Sequence, residues 1–208
     1  MSSGAVAAGL ASLGLKERPE DLALRQACAA VGQSQLMALY AECFSEHGLK
    51  VAQLLLTHGD IDSRTRSENV RGTLSRLLER RNVVPIINEN DSVATEELKF
   101  GDNDRLSAEV AILADAGVLL LLTSVEGLLD GKGRRLPVVE NVAQVKGLAR
   151  VDKGRLSVGG MISKLEAVKL AVDAGVLTVI GSGRKAGQIA AIVGGKDAGT
   201  RFLVGGTK

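Results

Sequence analysis

Val83-Val84-Pro85-Ile86-Ile87 runs directly into Asn88-Glu89-Asn90-Asp91, and Gly101-Asp102-Asn103-Asp104 follows shortly after. The apolar half reads as a short buried strand, and such continuous β-branched runs are typical of parallel sheets covered on both faces. The polar half then lies at the strand's carboxyl end, where open α/β sheets bind ligands. Carboxylates and carboxamides at this density need cations or hydrogen-bond donors to neutralise them. A solvated turn is the plain alternative; a binding rim is the reading adopted here.

Working outward, Val51 to Leu56 and Val118 to Leu122 read as further strands, with Leu177 to Ile180 and Arg201 to Val204 after them. Helical spacing of apolar residues fills the intervals at Asp21 to Phe44, Ser63 to Arg80, Asn103 to Ala116 and Ser163 to Ala174. Strand and helix in alternation imply an α/β fold, a three-layer αβα sandwich with a mostly parallel sheet. Asp102 or Asn103 is suited to cap one helix, and Gly117 and Gly175 to stop two others. Asp130 to Arg135 is a polar loop within what is expected to be one domain over residues 1–208. At the amino end, Ser2-Ser3-Gly4-Ala5 reads as a turn entering a helix, its exposed amides suited to an anion.

Composition narrows the function. The 208 residues carry 26 basic and 24 acidic side chains, a net charge of +2, with one Tyr, three Phe and no Trp. No basic run is interleaved with aromatics, so nucleic acid is not an expected partner. The longest apolar stretch, Val118 to Leu122, is far below the ~20 residues that span a bilayer. No secretory hydrophobic region is evident, which points to a reducing cytoplasm where Cys28 and Cys43 stay as thiols. Those cysteines and His47 and His58 match no metal-ligand spacing, so no protein-held metal is expected.

Val158-Gly159-Gly160-Met161-Ile162-Ser163-Lys164 is the phosphate candidate. Paired glycines admit close backbone approach, a helix start supplies amides, and Lys164 supplies a point charge. Thr123-Ser124, leaving a strand, could face a nucleotide or simply end the strand. No GxxxxGK[ST] occurs. Gly181-Ser182-Gly183-Arg184-Lys185-Ala186 fits a dinucleotide fingerprint only weakly and reads better as a plain helix-entry loop. No Ser-His-Asp or Cys-His arrangement supports acyl-enzyme chemistry.

The ordered series SSGAVAAG at 2–9, AAVGQSQLM at 29–37, QLLLT at 53–57, NVVPIINENDSVA at 82–94, FGDNDRLSA at 100–108 and VGGMISK at 158–164 resembles the glutamate 5-kinases of the amino acid kinase family. The resemblance covers almost the whole chain. It implies ATP-dependent phosphorylation of L-glutamate to glutamyl 5-phosphate, with magnesium carried on the ATP phosphates, proline as an inhibitor and a homo-oligomeric assembly. It implies that Ser3, Gly4, Asp91 and Asn103 hold glutamate, Asp91 facing its ammonium group. Asp104 would orient catalytic lysines, Lys164 would stabilise the phosphoryl group in flight, and Thr123, Ser124, Gly159, Gly160, Met161 and Lys164 would contact the nucleotide. Against the family pattern, Ser124 replaces an acidic or amide side chain, and both the first strands with their phosphate loop and lysine and a carboxy-terminal RNA-modification-enzyme-like domain are expected to be missing. A non-catalytic amino acid or nucleotide binding module is the second reading.

Overall fold

The computed structural model describes residues 1–93, 102–148 and 158–205. The chain divides into two compact units, Met1–Lys99 and Phe100–Lys208.

In the first unit α1 (Ala5–Ser12) lies against the long α2 (Leu22–Ser45); β1 (Lys50–Leu56), α3 (His58–Asp62), α4 (Arg64–Leu78) and β2 (Val83–Glu89) follow. β1 and β2 pair in parallel, Lys50 opposite Val83 through Leu56 opposite Glu89. β2 extends two residues past the apolar run into Asn88 and Glu89, both buried. Hydrophobicity therefore marks where the strand begins but not where its ladder ends, because backbone pairing ignores side-chain polarity. Pro85 is tolerated because, among the described residues, β2 has a ladder partner, β1, on one side alone. α2 packs on β1 and α4 on β2.

Helix α1 crosses α2 at glycines. Gly9 approaches the Cys28 carbonyl, and Gly32 approaches the Ala5 carbonyl, so closely that a Cβ at either would stand 1.8 Å from the oxygen. α3 begins directly after β1, where Asp60 accepts from the backbone N–H and the hydroxyl of Thr57, each at 2.8 Å, and from Arg66 at 3.1 Å. Burial pushes the Asp60 carboxyl up, but these hydrogen bonds and the Arg66 charge outweigh it and hold the group below its usual range. A depressed carboxylate stabilises the fold above the unfolded-state pKa of ~3.9 and loses that contribution as pH falls through the folded value. Asp60→Asn should therefore lower the urea midpoint near neutrality, and the gap to the parent should close in strong acid. A gap that persists at low pH would rule this linkage out.

In the second unit the described elements are α5 (Asp102–Leu113), β3 (Val118–Thr123), β4 (Val138–Val139), α6 (Val142–Val145), α7 (Val158–Asp173), β5 (Leu177–Ser182), α8 (Gln188–Val193) and β6 (Thr200–Phe202). Their sheet order is β3-β5-β6-β4, with β3–β5 and β4–β6 parallel and β5–β6 antiparallel. The chain is thus α/β with parallel pairing dominant. One apolar cluster, including Ala108, Leu121, Leu165, Val168, Ile180 and Phe202, joins α5 and α7 to this sheet. Neither β4 nor α6 was legible beforehand, since elements this short carry too little periodicity.

Helix ends refine the sequence reading. α5 starts at Asp102, so Asn103 lies inside the helix and not at its cap, and the capping position falls outside the described residues. Its other end is turned by Asp115, at φ 51°, rather than by Gly117. Asp is among the few residues that visit the left-handed region at modest cost. Gly175, at φ 89°, does stop α7, with Val176 N–H donating to the Ala171 carbonyl. α7 starts five residues before Ser163, so Val158 to Gly160 are already helical.

Thr200 ties the second sheet to the loop after β3. Fully buried, its hydroxyl accepts from Leu128 N–H at 2.9 Å and donates to the Leu136 carbonyl at 2.6 Å. Thr200→Val keeps the shape and removes both bonds, at an expected cost of about 1–3 kcal/mol for each backbone group orphaned. Urea denaturation measures it, and a loss under ~0.5 kcal/mol would show that neither bond matters.

Candidate active site

Asp104 sits in the first turn of α5 and Lys164 in the second turn of α7, two helices that pack side by side. Lys164 Nζ lies 2.9 Å from both Asp104 carboxylate oxygens, and the two side chains are only 16% and 18% exposed. Ser163 donates its hydroxyl to Asp104 Oδ2 at 2.9 Å and also contacts the Gly160 carbonyl at 3.1 Å. The Asp104 carbonyl accepts from Ser107 at 2.6 Å. The carboxylate is thus gripped by two consecutive residues of α7.

This geometry has a chemical meaning. An ammonium carries three hydrogens, so with Asp104 satisfied at least one remains for another acceptor. Both groups lie near helix amino ends, where aligned peptide dipoles favour negative charge. Partial exclusion of water strengthens the field that Lys164 exerts on a nearby anion. The arrangement holds a lysine in place without neutralising its capacity to bind an anionic oxygen.

Gly159 and Gly160 form the opening turn of α7, where glycine costs little because the first amides have no helical partner in any case. Met161 packs against the apolar cluster of the second unit. Thr123, half-buried, ends β3 opposite Ser182 of β5, and its carbonyl accepts from Gly183 N–H at 2.8 Å. Ser124 follows it, exposed. These two residues therefore occupy the carboxyl-end rim of a parallel strand pair, where the sequence placed them. Gly181 to Ala186 links β5 to the six-residue α8, as a helix-entry loop should.

In the first unit, Ser2 N–H donates to the Ile87 carbonyl at 2.6 Å, which sets the Ser2–Gly4 turn beside the end of β2. Gly4, at φ 92°, caps α1 in the left-handed conformation that its lack of a side chain permits. Ser3 is exposed next to it, and Asp91 stands half-buried two residues beyond β2. The Ser2–Gly4 segment therefore lies beside the polar end of β2. Asn103 lies in the second unit, half-buried on α5 beside Asp104.

Two residues escaped the sequence reading. Ser163 lies inside the glycine-led motif with no local signal of its bond to Asp104, although neighbours on one helical turn can reach the same carboxylate. Gln33 of α2 is buried and accepts from Asn88 Nδ2 at 2.9 Å. Nothing local could have paired residues so far apart. Among the described residues no group of three or more His, Cys, Asp or Glu side chains could hold a metal ion. No helix among them is long and apolar enough to cross a membrane.

Two solved structures share this architecture. The crystal structure of smu.665 from Streptococcus mutans UA159 superposes with a TM-score of 0.59 at 19% identity, over 98% of this chain and 83% of that one. Uridylate kinase from Archaeoglobus fulgidus superposes at 0.54 and 16% identity, over 95% and 78%. At such identities the likeness speaks for the fold alone. Glutamate 5-kinase of Myxococcus xanthus (strain DK1622) is 46% identical over 100% of this chain and 57% of its own length. The enzyme of that name from Moorella thermoacetica is 48% identical over 98% and 55%. The chain spans about half the length of the curated relatives it matches. The profile of the Amino acid kinase family matches residues 1–181, so the chain belongs to the amino acid kinase family.

Proposed function

We propose that this chain is a glutamate 5-kinase domain that transfers the γ-phosphoryl group of ATP to the side-chain carboxylate of L-glutamate. The carrying observation is Lys164 held at 2.9 Å on both oxygens of Asp104, in a chain whose curated relatives bear that name. A carboxylate oxygen of glutamate forms the new bond to phosphorus, the bond from phosphorus to the β,γ-bridging oxygen breaks, and ADP leaves with that electron pair. Such transfers need little covalent chemistry from the protein and depend on positioning and on cations near developing charge. Lys164 supplies the cation, Asp104 fixes where it stands, and Ser163 keeps Asp104 from rotating.

Ser3, Gly4, Asp91 and Asn103 are assigned to glutamate, with Asp91 meeting its ammonium. Thr123, Ser124 and the start of α7 from Gly159 through Met161 to Lys164 are assigned to the nucleotide. Magnesium commonly takes substrate phosphates plus one or two carboxylates and retains several waters. With Asp104 engaged by Lys164 and Ser163, the donor set suits magnesium brought on ATP, where it neutralises phosphate charge. Residues 1–208 are taken as one such kinase domain, working in the cytoplasm as a homo-oligomer with proline as inhibitor.

The test is ADP release by the purified 208-residue chain with magnesium and ATP, comparing L-glutamate with N-acetylglutamate and aspartate. Release that depends on glutamate alone supports the assignment. Turnover of another acceptor in its place would move the chain elsewhere in the family. A folded chain that binds glutamate but never releases ADP would instead be a binding module.

A further inference from the structure

We propose that Gln33 is a substrate-binding residue whose side-chain amide donates a hydrogen bond to an oxygen of the amino acid bound beside the end of β2. The inference rests on the proposed reading of glutamate as substrate. Gln33 is 8% exposed, and its Oε1 accepts from Nδ2 of Asn88, itself 1% exposed, at 2.9 Å. That bond fixes the amide plane. With the oxygen turned to Asn88, the Nε2 hydrogens must point elsewhere, and Nε2 has no hydrogen-bond partner among the described residues.

A buried, unsatisfied amide donor is costly, and native proteins retain few without a use for them. At this place a leucine or methionine would fill the same volume with no such penalty. The location supplies the use. Asn88 is the first polar residue of β2, Ser2 bonds the Ile87 carbonyl just before it, and the Ser2 hydroxyl donates to Tyr40 of α2 at 3.3 Å. The orphan donor is therefore anchored to the strand end that carries the glutamate-assigned turn and Asp91. A carboxylate, rich in acceptor lone pairs, is the chemistry that such a donor selects.

Calorimetric titration of L-glutamate into the 208-residue chain, Gln33→Met and Gln33→Glu tests this. Glutamate at position 33 still accepts from Asn88 but offers the ligand an oxygen in place of NH2. We expect Kd to rise about 10-fold in Gln33→Met and about 100-fold in Gln33→Glu, the span of a hydrogen bond to a charged group. Binding within about twofold of the parent in both variants overturns the inference and leaves the glutamate reading standing. A folded parent that does not bind L-glutamate removes that reading, and this inference with it. A second measurement needs no variant: in the 15N-labelled parent saturated with L-glutamate, the Gln33 side-chain amide signals should shift downfield. Unmoved signals would mean that an internal water, not the ligand, satisfies Nε2.

Discussion

Lys164→Met is expected to lower glutamate-dependent turnover by about 10²- to 10³-fold, the usual effect of removing one donor aimed at transition-state charge. Methionine keeps most of the length and apolar stem of lysine, so the change isolates the ammonium. The loss should fall on kcat, with KM for glutamate changed little, because an interaction made mainly in the transition state does not contribute to ground-state binding. Folding should survive, since Asp104 keeps the Ser163 hydroxyl at 2.9 Å. Melting curves beside steady-state kinetics separate the two effects. A folded Lys164→Met chain working within threefold of its parent would show that the Asp104 pair is a structural ion pair only.

Gly32→Ala, with Gly9→Ala its equal, should be among the most damaging single methyl groups in the first unit. Its Cβ would stand 1.8 Å from the Ala5 carbonyl oxygen and 2.5 Å from the Gly9 nitrogen, both backbone atoms that no rotamer change can move. The helices would have to separate, and overpacking at this severity belongs at or beyond the upper end of the roughly 1–3 kcal/mol usual for such changes. The ~1 kcal/mol that alanine gains over glycine in a helix cannot offset it. Gly72, in α4, is the internal control: nothing lies within 4 Å of a Cβ there. Gly72→Ala should stabilise by about 0.5–1 kcal/mol. Urea titration of both variants decides the matter, and equal midpoints would mean that the crossing has room to spare. Because α1 starts at the Ser2–Gly4 turn, Gly32→Ala should weaken glutamate binding as well as folding.

These two expectations come from different kinds of information. Lys164 could be singled out from the chain because a lysine one turn into a glycine-led helix announces an anion site by local chemistry alone. The partners that make it work could not. Asp104 and Ser163 meet Lys164 only because α5 and α7 pack together, and the carboxylate lies 60 residues away in the chain. Gly9 and Gly32 carry no local signal of their role; only the crossing of α1 and α2 shows that small size, not flexibility, is required of them.

By itself the sequence determined the α/β class, the parallel pairing of strands whose apolar runs need cover on both faces, and the positions of Asp91 and Thr123 at strand ends. Hydrophobic periodicity and glycine placement are local properties that survive without a structure. Only the tertiary structure decided that β6 runs antiparallel beside β5, that Asp115 turns the end of α5, and that Gln33 reaches Asn88 across 55 residues. Strand direction, helix crossing and buried hydrogen bonds are set by which distant surfaces exclude water together, and no window along the chain contains both partners.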